Sequence, residues 1–123
     1  MDDDLPAELE SWAEDAMVEY FAQLDETLRP FAREVTLIYQ WEADENNPEE
    51  EDLLGLFEGP GREDYLAGEG ELPPRITLFL ENLWWEAEAD AQRFRDEVQL
   101  TFLHELGHYL GYEEDDLIKR GIG

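Results

Sequence analysis

The sequence predicts a small α+β domain, and three observations carry that prediction. Apolar residues recur every three or four positions near the start of the chain and again over residues 90–110. Two stretches between these regions alternate with period two, the spacing of half-buried strands. Acidic, glycine-rich and proline-rich segments separate the patterned regions. At 123 residues the chain is long enough for one domain, spanning residues 1–123, and too short for two.

The opening helix places Leu5, Leu9, Trp12, Ala16, Met17, Tyr20, Leu24 and Leu28 on one stripe, a face to be laid on a sheet. Asp4 stands at its N-cap and Pro6 in its first turn, where a missing N–H does no harm. Pro30 then forces a break or restart near residues 25–29. In the first strand, Val35, Leu37, Tyr39 and Trp41 point one way, and Thr36, Ile38 and Gln40 the other. Residues 42–52 form a solvated loop: seven of the eleven are acidic, interrupted by Asn46, Asn47 and Pro48.

A second strand is expected over residues 53–57, closed by Gly59-Pro60-Gly61, with a turn-rich stretch on to Gly70. Pro73-Pro74 lead into a third strand over residues 75–80, where Ile76, Leu78 and Leu80 alternate with Thr77 and Phe79. Trp84 and Trp85 follow in a turn or short helix, read as one core residue and one rim residue. A long helix over residues 90–110 buries Phe94, Val98, Phe102, Leu106 and Leu110, and Gly111 gives it a left-handed stop. A last short turn covers residues 116–120.

Charge narrows the function. With 34 Asp and Glu against 8 Lys and Arg, the formal net charge is -26. Nucleic-acid binding draws its affinity from clustered Lys and Arg, so nucleic acid is excluded as a partner, and so is charge-driven binding to anionic lipid. No apolar run approaches the ~18 residues of a membrane span, and the acidic Met1-Asp2-Asp3-Asp4 start is unlike a secretory signal. A soluble, cytoplasmic protein is expected. With no cysteine, any metal must be held by histidine, carboxylate or backbone oxygen.

Both histidines of the chain lie in the string His104-Glu105-Leu106-Gly107-His108. Four residues apart on a helix, they stand on one face about 6 Å apart along the axis, close enough to share one metal ion. Glu105 projects from the edge of that face and can serve a water on the metal as general base. These are two ligands and a base in H-E-x-x-H geometry, and zinc is the expected ion. Gly111 and Glu114 extend the pattern to H-E-x-x-H-x-x-G-x-x-E, in which the chain leaves the helix and swings back. Glu113, Glu114, Asp115 and Asp116 are all within reach of such a turn. Glu114 has the spacing of a third ligand in compact zinc peptidases, with Asp115 next.

On these residues the chain resembles the minimal zincin-like family, short prokaryotic zinc metallopeptidases. The likeness takes in the opening helix, the strand at Val35, Leu53-Leu54-Gly55-Leu56-Phe57-Glu58-Gly59 and Pro74-Arg75-Ile76-Thr77-Leu78-Phe79. It continues through Glu97-Val98 to the His104–His108 string and the Gly111-Tyr112-Glu113-Glu114-Asp115-Asp116-Leu117 tail. The family usually has Asp where Glu114 stands, and no methionine follows Glu114 to make the turn found beneath the metal in metzincins.

The resemblance implies a small mixed sheet of three to four strands, packed on the N-terminal helix and the H-E-x-x-H helix. It also implies a peptide or protein substrate laid as an extra strand along an open sheet edge. The strand made of Arg75, Ile76, Thr77, Leu78, Phe79 and Leu80 is the expected substrate-binding edge. Tyr109 or Tyr112 could donate to the oxyanion, although a tyrosine flanking a helix end is as often a packing residue.

Two functions follow. One is a zinc peptidase acting on neutral or basic peptides, which the negative surface attracts. The other is a non-catalytic acidic module that keeps the fold and binds a basic protein partner. Retention of Glu105 favours the first and the net charge favours the second. RNA hydrolysis at a three-histidine site is disfavoured by the acidic surface and by Glu114 where that site needs histidine.

Overall fold

The computed structural model describes residues 4–44, 46–48, 51–68 and 72–111. Along the chain come α1 (Leu5–Gln23), α2 (Arg29–Ala32), β1 (Thr36–Gln40) and β2 (Gly55–Glu58). They are followed by α3 (Arg62–Leu66), β3 (Arg75–Phe79), α4 (Leu80–Glu86) and α5 (Ala91–Tyr109). The predicted α+β class and each principal element are present. The strand expected over residues 53–57 starts two residues later, at Gly55. No helix among the described residues is long and apolar enough to cross a membrane.

The three strands form one sheet in the order β1-β3-β2. β1 runs parallel to β3, with Thr36 opposite Arg75 and Gln40 opposite Phe79. β2 runs antiparallel on the other side, with Gly55 opposite Leu78 and Glu58 opposite Arg75. This order corrects one expectation. The strand Arg75–Phe79 is the middle of the sheet, so its backbone groups are taken on both sides and it offers no edge to a peptide. Its residues Ile76, Thr77, Leu78 and Phe79 are all buried, as a central strand's are. Leu80 leaves the strand altogether and opens α4.

The core lies between the sheet and α1, α4 and α5. Leu9, Ala13, Ala16 and Met17 of α1 meet Phe94, Val98, Phe102 and Leu106 of α5, with Ile76 and Leu78 of β3 beneath them. Phe102, fully buried, holds the rings of Tyr20 and Phe21 at 6.4 and 5.5 Å. Truncating such a residue to alanine costs about 3–5 kcal/mol. Trp84 joins the layers, its ring 6.0 Å from Trp12 and 5.8 Å from Phe94, while Trp85 is 64% exposed. The pair divides into core and rim as expected.

The turn-rich stretch before Gly70 contains a helix that the sequence reading missed. α3 has five residues and buries none of them, so no apolar period announces it. It is fixed from outside. Arg62 Nε donates to Glu34 Oε2 at 2.9 Å, and its guanidinium lies 4.5 Å from the centre of the Phe31 ring.

Candidate metal centre

α5 begins at Asp90, whose side chain accepts from the backbone N–H of Arg93 at 2.9 Å and caps the helix. It runs unbroken to Tyr109, and Gly111 beyond it takes φ +89°, the left-handed stop expected there. One side of this helix is core: Phe94, Val98, Phe102, Leu106 and Tyr109 are fully buried. The adjoining side carries His104 and His108, both half-buried.

The two imidazoles converge, with Nε2 of His104 3.3 Å from Nε2 of His108. Two nitrogens bound tetrahedrally to zinc at 2.0–2.1 Å would stand about 3.3 Å apart, so the pair already has the spacing the ion requires. His104, Glu105 and His108 each bring a ligand atom within 4.8 Å of the others, a group able to hold a metal ion. Glu114 and its alternatives Glu113, Asp115 and Asp116 lie outside the described residues, as do Tyr112 and the turn expected over 116–120.

Tyr109, the other candidate oxyanion donor, faces elsewhere. It is fully buried, and its hydroxyl donates to Glu34 Oε2 at 2.7 Å, on the carboxylate that Arg62 also binds. Burial and this hydrogen bond to Glu34 push its phenol up. Burial also works against ionised Glu34, yet the hydrogen bonds from Arg62 and Tyr109 and the charge of Arg62 outweigh it. The Glu34 carboxyl is held below the usual glutamate value. Tyr109 is therefore a fastening between α5 and α3.

The strand that borders the metal group is β2. A Cβ placed on Gly55 would lie 2.6 Å from Thr101 Cγ2 and 3.4 Å from Glu105 Cγ. Only glycine lets the strand lie this close to the helix. β2 pairs with β3 on one side, and among the described residues no strand pairs with its other side. A cavity of about 460 Å3 opens between β2 and α5 and includes His104 and Glu105 in its wall.

Gly55, Thr101 and Glu97 are site residues that sequence reasoning passed over. Glu97 had a legible signal, since it precedes His104 by seven residues and so shares its helix face. The nearness of Gly55 has no local signature.

The family model described as zincin-like metallopeptidase matches residues 32–122, which is 91 of the 123 residues. Among curated proteins none matches the chain. The matched span runs from the end of α2 through β1, β2, β3 and the histidine-bearing helix. By that match, and by the histidine pair on α5 beneath the antiparallel strand β2, the chain belongs to the zincin-like metallopeptidases.

Proposed function

We propose that this protein is a zinc-dependent peptidase that hydrolyses peptide bonds with Glu105 as general base. The carrying observation is the His104–His108 pair at zinc spacing, with Glu105 beside it and a cavity walled in part by His104 and Glu105. Bound there, zinc would polarise a scissile carbonyl and make a water acidic. Glu105 accepts the proton of that water and passes it to the leaving amine. His104 and His108 would hold the ion, with Glu114 as the proposed third ligand. The outer edge of β2, in place of the predicted strand Arg75–Leu80, takes the peptide as an added strand. A net charge of -26 draws neutral or basic peptides more readily than acidic ones.

The test is zinc titration with elemental analysis, followed by a peptide-library screen. One zinc is expected per chain, lost in His108→Ala and Glu114→Ala. Glu105→Gln is expected to keep the zinc and lose about 10²–10⁴-fold in kcat. Failure to bind zinc at micromolar concentration near pH 7.5 would sink the proposal. Zinc binding without cleavage of any library peptide would favour the acidic module that holds a basic protein partner.

A further inference from the structure

The cavity beside the metal group is built from two kinds of residue. Leu53, Leu54 and Leu100 give it apolar walls, and Asp52 and Glu97 bring carboxylates into it. Leu100 is 55% exposed, so much of its side chain is open to whatever enters the cavity. Glu97 is half-buried, and among the described residues no cation pairs with it. Burial, with Glu86 and Asp96 adding to it, pushes its carboxyl above the usual glutamate value. A group in this position gains from any positive charge brought to it.

Size and distance select the form of that charge. Glu97 and His104 are seven residues apart on α5, about 10 Å along the axis. From a reacting carbonyl at the histidine pair, that distance matches the reach of a long side chain on an adjoining residue. The aliphatic stem of such a side chain would lie along the three leucines, as the stems of Lys and Arg do against apolar surface.

We infer that this cavity is a specificity pocket for an arginine or lysine side chain of the substrate, its stem on Leu53, Leu54 and Leu100 and its cation on Glu97 and Asp52. The inference rests on the peptidase reading for what the peptide is doing there, and it adds the residue class the site prefers. A free ammonium at a peptide's amino terminus carries the same charge, but it has no stem to cover the leucines.

Equilibrium binding separates these sources without requiring turnover. Peptides acetylated and amidated at their ends, each with one central arginine, are titrated into zinc-supplied Glu105→Gln protein by calorimetry. Their twins carry citrulline, which keeps the shape of arginine and removes its charge. The arginine peptide is expected to bind about tenfold more tightly, the scale of one charge-assisted contact. Glu97→Gln in the same background is expected to erase most of that advantage, and Asp52→Asn a smaller part. Glu14→Gln, an exposed carboxylate on α1 close enough to act on Tyr39 of β1, removes one charge near the sheet edge opposite β2 and is expected to leave the ratio unchanged.

Equal affinity for the two peptides would overturn the pocket. So would an advantage that Glu97→Gln and Glu14→Gln reduce alike, since that is the field of the whole protein. A preference that appears only when the amino terminus is free would overturn it in favour of terminus recognition. Hydrolysis by the unsubstituted protein is scored separately. If arginine is preferred in binding and no peptide is cut, the pocket stands and the peptidase reading falls.

Discussion

The two ends of α5 each carry a half-buried carboxylate nearby, and the fold treats them in opposite ways. At the C-terminal end, Glu34 receives Arg62 at 2.9 Å and the Tyr109 hydroxyl at 2.7 Å, and its carboxyl is held low. In the N-terminal half, Glu97 has no cation among the described residues, lies against the cavity and is pushed up. The first carboxylate is satisfied by the protein itself and fastens α3 to the helix. The second is left at a cost to stability, the pattern expected where a ligand completes the site.

Gly55→Ala is the sharpest way to break the cavity end. The added methyl meets Thr101 Cγ2 at 2.6 Å, and threonine on a helix has few rotamers with which to yield. A loss of about 1–3 kcal/mol in urea unfolding is expected, with Thr101→Ala in the same chain recovering much of it. Full stability in the single variant would show that β2 is not pressed on α5.

Arg62→Ala breaks the other end. It removes the cation from Glu34 and the contact with Phe31. With the pair about a quarter to a third exposed, the expected loss at pH 7 is about 1–2 kcal/mol. Because folding depresses the Glu34 value, its contribution is complete above the unfolded value of about 4.3 and disappears as pH falls through the folded one. The gap between parent and variant in urea unfolding should therefore narrow as pH falls below about 4.3 and close once pH is below the folded value. A gap that persists there would mean the Phe31 contact carries the effect.

The smallest effect has the opposite sign. Folding raises the Glu97 value, so its penalty is present at neutral pH and relieved as pH falls toward the unfolded value of about 4.3. Glu97→Gln is expected to stabilise the protein at pH 7 by about 0.5 kcal/mol or less, with the gain gone below about pH 4. A destabilised Glu97→Gln protein at pH 7 would remove the contrast between the two carboxylates.

Most of the candidate centre could be read in the chain because it is local. A spacing of four on a helix brings His104 and His108 together whatever surrounds them, and Glu105 is fixed by the same turn. The glycine stop at Gly111, the capping Asp90 and the periods of β1 and β3 are local in the same sense. Five-residue α3, with no buried face, left no such mark.

What the tertiary structure alone decided are the pairings between residues far apart in sequence. Thr36 lies opposite Arg75, and this puts β3 in the middle and leaves β2 as the edge beside the histidines. Tyr109 meets Glu34 across 75 positions, which decides between its two readings in favour of packing. Hydrogen-bond periods fix which residues form a strand or helix and which way their side chains face. They do not fix which strand lies next to which, because that depends on the packing of distant surfaces against one core.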